Sequence, residues 1–131
     1  MLVVIDTNIL VSALWSRNSN PAKIVSMILR GVLVPCFDYR IITEYREVLK
    51  RPGFGFSEGE INSLLGWFES NGHSVVAKPS DIDFTDEADK MFYEVAKHCG
   101  AVLITGNLKH FPKDRKILNA ADFLKEYADG F

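Results

Sequence analysis

The chain has 131 residues, 47% of them hydrophobic and 24% charged, a composition that is ordinary for a soluble globular protein forming one domain over residues 1–131. Its 15 Lys and Arg residues against 17 Asp and Glu residues give a net charge of −2, which argues against a broadly basic surface but not against a local basic patch. No apolar run approaches the roughly 18 residues of a membrane span, and the amino terminus lacks a signal-peptide pattern, so we expect a cytoplasmic protein without membrane contact.

Strand and helix signals alternate through the first half of the chain. The apolar run that leads up to Asp6 predicts a strand buried on both faces, as in a parallel sheet. Two later helices have recognisable starts, one with Asn20 as N-cap before Pro21 and one with a capping box at 57–60. The predicted elements are a strand at 1–5, a helix at 9–14, a helix from Asn20 to Gly31, a strand at 32–37, and helices at 39–50 and 57–72.

The same alternation continues in the second half. The predicted elements are a strand at 74–77, a polar connection at 78–85, a helix at 86–99, a strand at 101–105, a short strand at 117–119 and a terminal helix at 120–128. Strands separated by helices favour right-handed crossovers and a parallel sheet of four to five strands. The expected class is therefore α/β, with a three-layer α/β/α arrangement of Rossmann-like type. The Gly-x-Gly-x-x-Gly pattern of dinucleotide-binding proteins is missing after the first strand, which disfavours that function.

Three acidic residues could share one site at the carboxyl edge of this sheet. Asp6 follows the first strand, where it is either a ligand for a bound group or the N-cap of the next helix. Glu44 and Asp89 lie at the borders of the apolar faces of their helices, whereas Asp86 projects away and suits a first-turn acid. Each of them, taken singly, also fits a solvated or helix-capping role. Three carboxylates in one cleft would repel each other unless a cation neutralised them, and oxygen ligands suit Mg²⁺ or Mn²⁺.

Four segments of the chain, in this order, resemble the motifs of the PIN-domain family of metal-dependent ribonucleases. They are residues 4–10 (VIDTNIL), residues 44–45 (EY) with 48–49 (VL), residues 86–92 (DEADKMF) with Ala96, and residues 103–107 (LITGN). The resemblance covers nearly the whole chain. The ordered set is specific, although no single segment is.

The resemblance implies a PIN fold and hydrolysis of RNA by a metal-activated water. Asp6, Glu44 and Asp89 would be the catalytic triad that binds Mg²⁺ or Mn²⁺. Hydrogen bonds that support this triad would come from Thr7, Asn8 and Thr105. Many small stand-alone members of the family are similar to VapC-type toxins, which pair with an antitoxin protein and often form homodimers.

The fourth motif departs from the family pattern at Asn107, where an aspartate is common. A neutral carbonyl oxygen in that position should weaken a second metal site more than the first, and Asp86 is a candidate to compensate. The alternative function is therefore a degenerate PIN module that binds RNA or a protein partner with weak or no nuclease activity. A phosphatase or receiver-like domain is disfavoured, because Asn8 stands where such chemistry expects a second acid.

Two groups of basic residues could grip RNA around the acidic centre. One follows the fourth motif and contains Lys109, His110, Lys113, Arg115 and Lys116. The other lies on or beside the Glu44 helix and contains Arg40, Arg46, Lys50 and Arg51. Both groups also fit an ordinary solvated surface, so the sequence leaves the two interpretations open.

Overall fold

A sheet of five parallel strands forms the centre of the protein, in the order β3-β2-β1-β4-β5. The computed structural model describes residues 1–127. Its strands are β1 (Leu2–Ile5), β2 (Val34–Phe37), β3 (His73–Ser74), β4 (Val102–Ile104) and β5 (Ile117–Leu118). Its helices are α1 (Thr7–Trp15), α2 (Asn20–Leu29), α3 (Tyr39–Leu49), α4 (Glu58–Asn71), α5 (Glu87–Cys99) and α6 (Ala120–Tyr127). The predicted end of the last helix at Ala128 lies outside the described residues.

The six described helices flank this sheet in a three-layer α/β/α arrangement, which confirms the predicted fold class. Helix α2 packs against α1 and α6, whereas α3 packs against α4 and α5. Because helices cover both faces, the strands in the middle of the sheet need apolar side chains at successive positions rather than alternate ones. None of the helices within residues 1–127 is long and apolar enough to cross a membrane.

Strand β1 lies at the centre of the sheet and sets the position of the acidic edge. It pairs with β4 in a register that places Ile5 beside Ile104. The next residues along the two strands, Asp6 and Thr105, therefore emerge side by side, and the Asp6 backbone N–H donates to the Ile104 carbonyl at 2.9 Å. Tyr45 is fully buried, and its hydroxyl donates to the Ile5 carbonyl, which ties α3 to the same end of β1.

Two local predictions are wrong. Ser19 rather than Asn20 is the N-cap of α2, because the Ser19 hydroxyl accepts the Ala22 N–H at 3.2 Å and Asn20 already lies within the helix. Strand β3 covers His73–Ser74 rather than 74–77. It is an exposed strand at the edge of the sheet and has only β2 as a neighbour. The apolar residues that follow it are therefore not drawn into the strand by burial in the core.

Candidate functional site

The Asp6 carboxylate does not cap helix α1, although Asp6 occupies the N-cap position. The hydroxyl of Thr105 instead donates to Asp6 Oδ2 at 2.6 Å, and the Asn8 amide nitrogen lies 3.5 Å from the same oxygen. The helix-cap interpretation of Asp6 is therefore wrong. Its carboxylate is held at the carboxyl edge of the sheet by Thr105, the residue that follows strand β4.

Electrostatically, Asp6 is in an unfavourable environment for a charged group. The side chain is only 5% exposed, and its pKa is raised from 3.8 to about 6, chiefly by burial. The hydrogen bond from Thr105 lowers that pKa, whereas the negative charges of Asp89 and Glu44 raise it. None of the ion pairs formed within residues 1–127 includes Asp6 or Glu44. The buried acid thus lacks the compensating cation that a buried charge normally requires.

Glu44 reaches this edge from helix α3. The Thr7 hydroxyl, in the first turn of α1, donates to Glu44 Oε2. The backbone position of Glu44 is fixed by its neighbour Tyr45, whose ring packs edge-on against Phe68. Glu44 is half-buried, as expected for a residue at the border of the apolar face of α3. Its side chain reaches the segment that carries Asp6 through the contact with Thr7.

Asp89 lies in the first turn of α5 and is 9% exposed. Its Oδ2 is 3.0 Å from Nδ1 of His110, which belongs to a short 3-10 turn at Leu108–His110. Burial raises the pKa of Asp89, the hydrogen bond from His110 lowers it, and the charge of Asp86 raises it further, with a net upward shift. No periodic signal could place His110 against Asp89, because the contact joins a loop to a helix 21 residues away.

The structure gives Asp86 and Asn107 more peripheral positions. Asp86 is exposed and caps α5, since its Oδ1 accepts the Ala88 N–H at 3.0 Å. Asn107 is exposed, and its backbone N–H, rather than its side chain, donates to the Thr105 hydroxyl at 3.0 Å. Asn8 holds the same loop by accepting the Gly106 N–H at 3.0 Å. The hydrogen bonds of Thr7, Asn8 and Thr105 thus link the start of α1 to α3 and to the loop after β4.

The side chains present suit a divalent metal ion in kind, but they do not enclose one. Asp6, Glu44 and Asp89 offer hard oxygen ligands, and the unpaired buried charge of Asp6 favours a cation. Within residues 1–127, however, no three His, Cys, Asp or Glu side chains converge closely enough to form a ligand group. Glu44 is hydrogen-bonded to Thr7 and Asp89 to His110, so both side chains face neighbours rather than a common point.

An ion-pair network that contains two buried acids, Asp38 and Glu94, was missed by sequence reasoning. Arg40, near the start of α3, donates from Nη1 to Glu94 Oε1 and from Nε to Asp38 Oδ2, both at 2.8 Å. Glu94 is 5% exposed, and its other oxygen accepts the Ser80 N–H. Burial alone would raise the pKa of Glu94, but hydrogen bonds from Arg40 and Ser80 lower it below its ordinary value. The helical pattern held no signal for this contact, because Glu94 lies on the polar side of α5, with Lys90 and Lys97 as its neighbours on the helical wheel.

A family model of the PIN domain matches residues 2–109, which include all four acidic or polar motifs. The chain belongs to the PIN-domain family. It is 32% identical over 109 residues to an uncharacterized protein of Methanocaldococcus jannaschii, a match that covers 80% of this chain and 70% of that protein. No solved structure matches the chain. PIN domains are generally nucleases, and the predicted nuclease class is supported at that level.

Proposed function

We propose that this PIN domain is an endoribonuclease that hydrolyses RNA phosphodiester bonds with Mg²⁺ or Mn²⁺. Asp6, Glu44 and Asp89 would hold the metal ion, with the Asn107 side chain as a neutral additional ligand. The observation that supports this most strongly is the Asp6 carboxylate, which is buried beside two other acids without a cationic partner. That arrangement is costly for the metal-free fold, and a bound cation would offset the cost.

The residues around the three acids would act by orienting the carboxylate side chains. The Thr105 hydroxyl fixes one oxygen of Asp6, and the Thr7 hydroxyl restrains Glu44. The His110 ring restrains Asp89 through its contact with Asp89 Oδ2. A divalent metal, when bound, would lower the pKa of an attacking water and offset charge on the phosphodiester. Because Glu44 and Asp89 face Thr7 and His110 in the metal-free fold, their side chains would have to turn towards Asp6 when the metal binds.

Cleavage of a labelled single-stranded RNA tests this proposal directly. We expect cleavage in Mg²⁺ or Mn²⁺, loss of cleavage in excess EDTA, and recovery when the metal is restored. The competing proposal is a degenerate PIN module, which Asn107 and the open arrangement of the acids favour. Such a module would bind the RNA without metal-stimulated turnover, and that result would exclude the nuclease.

A more specific proposal is that the protein acts in the cytoplasm as the toxin of a toxin–antitoxin pair. It rests on the family resemblance, which also implies an antitoxin partner and a homodimer. A toxic nuclease should arrest growth when it is expressed alone, and the Asp6→Asn variant should relieve that arrest. Normal growth of cells that accumulate folded wild-type protein would contradict the toxin role without affecting the nuclease proposal.

A further inference from the structure

The two basic groups indicated by the sequence differ in how many of their charges are free. The group on and beside α3 is mostly paired: Arg40 pairs with Asp38 and Glu94, Arg46 with Glu69, and Lys50 with Glu58. Its fourth member, Arg51, forms no ion pair within residues 1–127. Between β4 and β5, by contrast, Lys109, Lys113 and Arg115 are exposed and form no ion pair within residues 1–127. A group of unpaired cations on one connection is therefore available for an anionic partner, in a chain whose net charge is −2.

A cavity of about 330 Å³ lies in this connection. Its apolar lining residues are Leu108, Pro112 and Ile117, and its basic lining residues are Lys109 and Lys113. The one acidic residue that lines it, Asp114, is already paired with Lys97 and accepts the Lys116 N–H. The cavity thus combines an apolar surface with two free positive charges, and its volume is at the lower end of the range for small-molecule sites.

The cavity adjoins the acidic centre through the Leu108–His110 turn. Leu108 and Lys109 line the cavity, whereas the next residue, His110, contacts Asp89. The turn itself begins directly after Asn107, whose backbone is hydrogen-bonded to Thr105. The cavity and Asp89 thus contact successive residues of one turn, and a strand of nucleic acid that lay across this turn would approach both of them.

We propose that this cavity is a nucleotide subsite for single-stranded RNA. Lys109 and Lys113 contact the two phosphates that flank the bound nucleotide, one lysine to each phosphate. The base or ribose of this nucleotide lies against Leu108 and Pro112. The strand is single because a base can reach an apolar wall only when it is unpaired and unstacked. The proposal rests on the proposed function for its choice of RNA, but binding to this subsite does not require cleavage.

Fluorescence anisotropy with a labelled mixed-sequence oligoribonucleotide, in EDTA so that no metal-dependent cleavage occurs, tests the subsite. The Lys109→Ala/Lys113→Ala variant is compared with the wild type over a range of salt concentrations. Each phosphate contact with a single strand contributes about 0.7 to the salt slope, so the double variant should lose about 1.4. At 0.1 M salt this corresponds to binding that is about 25-fold weaker. The Leu108→Ala variant should weaken binding without changing the salt slope.

The matched control is Lys23→Ala/Lys125→Ala, which removes two exposed charges from α2 and α6. We expect it to retain the wild-type affinity and slope. Equal losses in the two lysine pairs would show a nonspecific charge effect and overturn the proposal, as would wild-type binding by Lys109→Ala/Lys113→Ala. Annealing the RNA to its complement should reduce affinity, and undiminished binding of the duplex would also overturn it. Because no metal is present, these results are independent of whether the protein is a nuclease.

Discussion

The Asp6→Asn variant is expected to be more stable than the wild type at neutral pH when no metal is bound. The Asp6 pKa is about 6 in the folded protein against an ordinary value of 3.8, because the carboxylate is buried near Asp89 and Glu44. Such a shift makes the folded state bind its proton more tightly than the unfolded state does. Stability is therefore lost as the pH rises from about 4 to about 6, by about 3 kcal/mol in total. Asparagine resembles the protonated acid and avoids this loss.

Urea denaturation in EDTA at pH values from 4 to 8 measures this effect. The gain in the free energy of unfolding should be close to zero at pH 4 and should reach its full size above pH 6. An exposed control, Asp81→Asn, should stay within about 0.5 kcal/mol of the wild type throughout. Added Mn²⁺ should stabilise the wild type but not Asp6→Asn. A gain that does not depend on pH would show that Asp6 carries no buried charge.

The Arg40→Met variant is expected to lose about 2–3 kcal/mol of stability. The substitution leaves Glu94 buried without its cationic partner, and breaking a fully buried pair costs about 3–5 kcal/mol. Arg40 is half-exposed, so water can partly replace it and the expected loss is at the lower end. The same variant also removes the Arg40–Glu94 hydrogen bond between α3 and α5, the helices that carry Glu44 and Asp89.

Arg46→Met is the matched control for this prediction, because Arg46 lies on the same helix and pairs with Glu69 at the surface. Its loss should stay below about 1 kcal/mol. Replacing both members of the Arg40–Glu94 pair, as in Arg40→Met/Glu94→Leu, should restore part of the stability that Arg40→Met loses. If chemical denaturation gave the same midpoint for Arg40→Met and Arg46→Met, the buried network would not contribute to stability.

Much of the fold was predictable because its signals are local. The apolar run before Asp6 and the positions of capping residues and glycines predicted the ends of most strands and helices to within a few residues of the observed ends. Parallel strands then bring their carboxyl ends to one edge, so Asp6 and Asn107, which follow two of the strands, could be placed at the same edge. The supporting role of Thr105 was implied by the family resemblance alone. The position of Glu44 at the border of the apolar face of α3 was predictable because helical periodicity is also a local signal.

Other contacts depend on tertiary structure and had no local signal. Arg40 and Glu94 are 54 residues apart, and their pairing follows from how α3 and α5 pack rather than from either helix alone. His110 meets Asp89 through a contact between the 3-10 turn and α5, and these two residues lie 21 positions apart in the sequence. The choice of Ser19 over Asn20 as N-cap also depends on backbone geometry, since both residues have side chains that can cap a helix.

The role of Asp6, Glu44 and Asp89 as a catalytic metal centre is tested most directly by comparing RNA cleavage by the wild type and Asp6→Asn in metal-replete buffer. Because asparagine should stabilise the metal-free fold, a loss of activity would not be due to unfolding. We predict that the wild type cleaves RNA and that the variant is at least about 100-fold slower, as expected when a group that binds the catalytic metal loses its charge. Cleavage by Asp6→Asn at the wild-type rate would contradict a metal centre built on Asp6.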